Sequence, residues 1–361
     1  MQTRGCCDET CPANVRKVHG LPAGRYMAMR TDWEEIFHLS HIYSRGITGK
    51  GVAVAVLDTG IYEHEDFRIA GNRICCFRDF VNGKEQPYDD NGHGTHVSGI
   101  IASGGFTPER GRIGIAPEAS IAALKVLDHR GSGEISTMLR AIDWLLSSYQ
   151  RYGIRIVNIS VGMPVKNREN PQQDVLVQKV EELWNAGLVV VVAAGNEGPA
   201  QYTVTSPGVS RKVITVGALE DVQKRGYGRR GRYSGCGPVP GTCVRKPDVV
   251  APASAVLSCD NYGRAYKRRS GTSMATPVVS GVIALLLSSQ PWLTNLDVKI
   301  RLMETGIDCK IPKNQQGWGM INPLGLLQCR DGLLTPQEAA ARIPMKEEEL
   351  LALLESYGED K

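Results

Sequence analysis

The sequence predicts an α/β fold: a three-layer sandwich with a mostly parallel central sheet and helices on both faces. Three observations lead there. Short, unbroken apolar runs recur along the chain. Segments of helical length separate them. Polar residues of the kinds used in catalysis follow the runs at their C-terminal ends. A strand that is apolar throughout is buried on both faces, as in a parallel sheet covered by helices. Regular alternation of such strands with helices gives parallel crossover units.

The elements follow in order. Residues 33–41 predict a short helix ahead of the first strand. The apolar runs predict strands over 52–57, 120–127, 155–160, 188–193 and 212–217. Helices are expected over 94–102, 134–150, 174–186 and 273–289, with a further one over 295–304. A chain of 361 residues buries a large core without disulfide staples. No internal repeat or long low-complexity tract interrupts it.

Three segments carry the chemistry. Asp58 ends the run 52–57, at the strand edge where open α/β sheets place their sites. His93 stands between Gly92 and Gly94 at a probable helix start. Ser273 lies in Gly271-Thr272-Ser273-Met274-Ala275, just before an apolar helix. Small neighbours let a carbonyl approach the hydroxyl, and the helix start offers a positive dipole end. Each residue alone has a plain structural reading, as a turn, an incidental loop histidine and a helix cap. All three together, each in its favourable context, exceed what chance supplies. The triad members lie at 58, 93 and 273, so the chain between them folds as one unit.

The order Asp, His, Ser is that of the subtilisin version of the serine triad. With Asp58-Thr59-Gly60, His93-Gly94-Thr95-His96, Gly271 to Ala275 and Ala193-Ala194-Gly195-Asn196, the chain resembles the subtilase family of serine peptidases over roughly residues 46–322. The resemblance implies a serine endopeptidase working through an acyl-enzyme. Ser273 is then the nucleophile, His93 the general base and acid, and Asp58 the group that orients the imidazole. Asn196 donates to the oxyanion, although Gly-Asn is also an ordinary turn pair. His96 is a packing residue. An extended peptide adds between the segments around Ser132, Gly133 and Ser160, Gly162, a form of β-augmentation. Gly162 and Gly195 line the pocket for the residue before the cut, and Thr205 lies at its base, which favours medium-sized side chains.

Two other readings use the same residues. A catalytically silent binding or signalling protein would share the fold, but such proteins usually lose a triad member. An esterase-like hydrolase would use the same acyl-transfer machinery.

The resemblance sets out 41–330 as the peptidase domain and leaves 1–40 as an N-terminal extension that could act as a short inhibitory leader; leucines spaced along one helix face make 331–361 an acidic, amphipathic helical tail. No apolar core of a secretory signal is present, and no apolar run reaches the ~20 residues that span a bilayer. Segments 46–52, 88–94 and 206–209 resemble the intracellular branch of bacterial subtilisins, and a cytoplasmic location is expected. The ten cysteines are then expected as free thiols. Cys7 and Cys11 lack the partner spacing of a metal site. Cys236 and Cys243 could pair if an oxidant were met.

The chemistry needs no cofactor, and no residue is assigned to a metal. Many subtilases bind structural calcium through an Asp soon after the catalytic one, and Asp66 fits that position. However, the loop 103–112 carries Arg110 and Arg112 and no Asn, so Asp66 is expected as a loop anchor. The net charge of +4 implies no acidic partner. Clusters at 224–232 and 267–269 are basic, but no nucleic-acid-binding fold accompanies them. Peptide or protein substrates are the expected partners, with neither nucleic acid nor membrane. Nothing in the sequence speaks to oligomeric state.

Overall fold

The computed structural model describes residues 33–69, 71–107, 111–219 and 233–328. Two short helices come first, α1 (Trp33–Phe37) and α2 (Leu39–Tyr43), broken at His38, which takes a left-handed conformation. The single helix expected over 33–41 therefore bends back on itself. Strand β1 (Ala53–Asp58) follows, buried along its whole length. Next come β2 (Ile74–Asp79), α3 (His93–Ala102), the short hairpin strands β3 (Phe106–Thr107) and β4 (Gly111–Arg112), and β5 (Ser120–Lys125).

The second half alternates regularly: α4 (Ile135–Ser148), β6 (Ile154–Ile159), α5 (Val175–Asn185), β7 (Val189–Ala193) and β8 (Ile214–Ala218). Strand β9 (Val249–Ala251) and the hairpin β10 (Val256–Cys259) and β11 (Tyr266–Arg269) lead into α6 (Thr272–Ser289). Helices α7 (Asn295–Thr305), α8 (Lys313–Gln316) and α9 (Pro323–Gln328) complete the described chain. Helix α7 starts on a capping box, with Thr294 and Asp297 satisfying each other's backbone N–H groups.

The central sheet has the order β2-β5-β1-β6-β7-β8-β9, and every pairing in it is parallel. The chain turns in opposite directions from β1: toward β5 and β2 on one side, toward β6 and beyond on the other. The C-terminal ends on either side of that reversal form the crevice in which such sheets bind ligands. Helices α3 and α6 pack against each other and the sheet, while α4 and α5 form a separate pair. Among the described residues, α6 alone is long and apolar enough to cross a membrane, and it is the buried central helix of the core.

The predicted strands and helices all form, with ends shifted by one or two residues. The sequence reading missed β2, β9, the two-residue strands β3 and β4, and the four-residue strands of the β10–β11 hairpin. Strand β2 is an edge strand with the mixed sequence Ile-Cys-Cys-Phe-Arg-Asp, and only one of its flanks is paired. It lacks the apolar run that marks a buried parallel strand.

The packed unit reaches back beyond residue 41. Trp33 and Phe37 are buried and stack with ring centroids 5.8 Å apart. The Trp33 indole N–H donates to the Ile113 carbonyl at 2.9 Å. Residues 1–32 with Cys6, Cys7 and Cys11, the basic cluster 224–232, Cys329 and the tail 331–361 lie outside the described residues.

Candidate active site

Asp58 is the last residue of β1, and its carboxylate is fully buried. One oxygen accepts the Thr59 N–H at 2.7 Å and lies 2.7 Å from His93 Nδ1. That oxygen is an acceptor, so Nδ1 carries the proton and Nε2 faces outward with its lone pair. Burial works to lower the His93 pKa, but the charge and hydrogen bond of Asp58 outweigh it. The net shift is upward from the ordinary value. His93 is thus a base strengthened by its carboxylate partner.

The approach of His93 to Asp58 is built into the first turn of α3. A side chain at Gly94 would collide with the backbone of Gly60 and crowd Asp58 Cβ, so only glycine lets helix and strand end meet. Asp89 fixes the helix from below. Its carboxylate accepts from the N–H groups of Gly92 (2.8 Å) and Thr95 (2.9 Å) and from the hydroxyls of Thr59 (2.8 Å) and Thr95 (2.6 Å). The Thr59 hydroxyl in turn accepts from Gly94 N–H at 2.8 Å. Burial raises the Asp89 pKa, but these donors outweigh it and hold the carboxyl below its usual value. A carboxylate at a helix N-terminus is also favoured by the dipole. The sequence reading gave Asp89 no role. Its signal is an acidic residue four positions before a Gly-flanked helix start.

Ser273 lies in the first turn of α6, directly after Gly271 and Thr272. Gly271 has φ 148° and ψ 164°, a region essentially closed to residues with a Cβ. The Ser273 hydroxyl donates to the Ser160 carbonyl at 2.8 Å, not to His93. Ser273 is therefore held against the strand-end segment that follows β6. Pro277, four residues on, has no N–H, so the Ser273 carbonyl loses its usual helical donor.

Asn196 follows β7 and is exposed at the same crevice. Its side-chain oxygen accepts from the Thr272 N–H at 3.2 Å and the Thr272 hydroxyl at 3.0 Å. These two donors fix the orientation of the amide, because its NH2 end could not take their place. The amide N–H groups are left free toward the crevice beside Ser273. Thr272 was not singled out from sequence, although it precedes the nucleophile directly.

Gly162, Gly195 and Thr205 converge. A Cβ on either glycine would collide with the Thr205 side chain. Thr205 is buried and its hydroxyl donates to the Ala194 carbonyl at 3.3 Å. Ser132 and Gly133 lie in an exposed loop after β5, folded onto Asp128: Ser132 N–H donates to its carboxylate at 2.9 Å. Asn91 ties that loop to the start of α3 through the His129 carbonyl at 3.0 Å. His96 is buried, with Nε2 between the Val256 (3.1 Å) and Lys267 (2.9 Å) carbonyls. Burial first, then the Arg269 charge, lower its pKa to about 3, so it stays neutral and acts in packing.

An activated histidine, a serine at a helix start and a fixed amide donor at strand ends of a doubly wound sheet define a serine hydrolase. Residues 49–319 match the model of the subtilase family. The serine protease AprX of Bacillus subtilis (strain 168) is 40% identical over 317 residues, covering 82% of this chain and 70% of that protein. Subtilisin E of the same organism is 36% identical over 268 residues, covering 73% of this chain and 62% of the relative. Among solved structures, Sphericase matches with a TM-score of 0.63 at 31% identity, covering 76% of this chain and 92% of that one. A cold adapted subtilisin-like serine proteinase matches with a TM-score of 0.59 at 31% identity, over 76% of this chain and 88% of that one. The chain belongs to the subtilase family and is a subtilisin-like serine endopeptidase.

Proposed function

We propose that Ser273 is the nucleophile, His93 the general base and acid, Asp58 the orienting carboxylate and Asn196 an oxyanion donor. The observation that carries this reading is the 2.7 Å bond from His93 Nδ1 to the fully buried Asp58 carboxylate. It presents Nε2 unprotonated at the crevice. Ser273 turns from the Ser160 carbonyl toward Nε2 and attacks the scissile carbonyl, giving its proton to His93. The oxyanion receives Asn196 Nδ2–H and the Ser273 backbone N–H. Asn196 is worth about 3–4 kcal/mol of transition-state stabilisation in such a role. His93 then gives its proton to the leaving amine, and water repeats the sequence to release the acid.

The peptide adds as a strand between the loop of Ser132 and Gly133 and the segment of Ser160 and Gly162. The side chain before the cut enters the space bounded by Gly162, Gly195 and Thr205. The test is labelling with a fluorophosphonate probe, read by mass spectrometry. One adduct on Ser273, absent from folded Ser273→Ala protein, is expected. Labelling elsewhere, or turnover retained by the variant, overturns the assignment.

The chemistry requires no cofactor in this reading, so a chelator leaves the labelling rate unchanged at moderate temperature. The protein works in a reducing compartment, the cytoplasm, on peptide or protein substrates. Its six described cysteines are all free thiols, including adjacent Cys75 and Cys76. A thiol titration of protein isolated from its native cells under alkylating conditions, finding disulfides instead, would reject that location.

A further inference from the structure

We propose that His64, Asp66 and Cys259 form a zinc site, separate from the triad, that ties the segment after Asp58 to the hairpin before Ser273. One donor atom from each of the three residues lies within 4.8 Å of the other two, and all three residues are buried. The donors come from distant parts of the chain: the short helical turn Glu65–Phe67 with its cap, and the end of β10.

The tautomer of His64 is fixed by its partners. Nε2 lies 3.2 Å from the Ala265 carbonyl, which can only accept, so Nε2 carries the proton. Nδ1 accepts from the Asp66 N–H at 3.3 Å, so it carries the lone pair. Nδ1 also lies 3.3 Å from the Asp66 carboxylate. Nδ1 and the Asp66 carboxylate are both acceptors in one buried space, and a cation drawn to both would take the Nδ1 lone pair from the Asp66 N–H. A ring N–H bound to a backbone carbonyl with the other nitrogen turned to a carboxylate is the usual setting of a metal-ligating histidine.

The spacing selects the ion. Zinc bonds of about 2.0–2.3 Å in a tetrahedron separate the donors by roughly 3.3–3.7 Å. Asp66 Oδ1 lies 3.3 Å from His64 Nδ1, and its other oxygen, Oδ2, lies 3.5 Å from Cys259 Sγ. A sulfur, an imidazole and a carboxylate are a donor set for zinc, not for calcium, which seeks six to eight oxygens. The Tyr266 hydroxyl, 3.0 and 3.1 Å from the two Asp66 oxygens, closes the fourth side, and Ser103 also donates to the carboxylate.

Charge balances as well. Zinc displaces the Cys259 thiol proton to water, and the thiolate with Asp66 neutralises the ion. Arg73, which donates to the Asp66 and Ala102 carbonyls, sits beyond this neutral set. Without metal, burial and then the Asp66 charge keep Cys259 protonated.

The test uses the full chain carrying Ser273→Ala, so that self-cleavage does not intervene, with Zn2+ or Co2+ alone as probe. Calorimetry is expected to give one tight zinc per chain. At a hundredfold excess over Kd the Tm rises by about 5 °C. Co2+ produces an intense thiolate-to-metal band. Cys259→Ser, which keeps the side-chain shape, loses that band and weakens zinc binding at least tenfold. His64→Gln weakens it similarly, and Cys76→Ser leaves it unchanged. No zinc bound by the folded parent, or no thiolate band with Co2+, overturns the proposal without reliance on any variant. So does a zinc affinity that Cys259→Ser leaves intact, or an equal Tm rise with Ca2+, which would mark an oxygen-only site. Failure of zinc binding with Ser273 labelling intact in the unmutated chain leaves the peptidase assignment standing.

Discussion

The side-chain oxygen of Asn196 accepts two hydrogen bonds from Thr272, the residue directly before Ser273, the proposed nucleophile. One donor is backbone and survives any substitution except proline, and the other is the hydroxyl. Thr272→Val keeps the shape and removes the second. The amide is then held by the backbone donor alone, and the oxyanion meets a donor that is less firmly fixed. Loss of one net hydrogen bond, about 1 kcal/mol, predicts a fall in kcat of about five- to tenfold. The oxyanion exists only in the transition state, so KM stays close to the parent value. Steady-state kinetics on a peptide substrate decide this; a raised KM with unchanged kcat would place Thr272 in substrate binding instead.

His93 predicts a pH dependence. Its free base is the reactive form, and Asp58 raises its pKa above the ordinary value of about 6.5. The acid limb of kcat/KM therefore lies above pH 6.5. Arg269 opposes this rise through its charge. Arg269→Gln should move the limb to still higher pH, and a downward move would contradict the electrostatics. The stability linkage has the same sign. Below the unfolded value the His93 contribution is fully present, and it is lost as pH rises through the raised folded pKa.

The fold was legible where burial leaves a strong pattern. Strands β1 and β7 are apolar runs closed by a polar residue or a Gly-Asn pair, and α3 and α6 start at Gly-flanked chemistry-bearing residues. The contact of His93 with Asp58 was legible because both contexts agreed with one chain order. The contacts of Asn196 with Thr272, and of Asp66 with Cys259 and Tyr266, were not legible. They join residues 76, 193 and 200 positions apart, and no local period announces such meetings. Strand β2 escaped for a different reason, as an edge strand with a polar, half-buried face.

Thr205 predicts specificity. Gly162 and Gly195 abut its side chain, so in the proposed pocket Thr205 sets the depth. Thr205→Gly removes that floor and should shift preference toward larger apolar residues before the cut. A pocket change of this size is worth about 1–3 kcal/mol. The ratio of kcat/KM for phenylalanine over valine substrates should rise at least tenfold. An unchanged ratio would place the pocket floor elsewhere.

Trp33 separates two roles of the N-terminal region. A cut before residue 36 would remove any inhibitory leader, but it would also remove Trp33, whose ring stacks on Phe37 and whose N–H bonds Ile113. Loss of such a side chain costs about 3–5 kcal/mol. The informative comparison is therefore between two truncations. Removing residues 1–32 leaves Trp33 in place; a Tm equal to that of the full chain is expected, and any rise in initial rate then measures inhibition by those residues alone. Removing residues 1–35 should lower the Tm by several degrees whatever the leader does. Equal Tm values for the two truncations would show that Trp33 contributes no net stability, and a lower Tm for the first would extend the folded unit into residues 1–32.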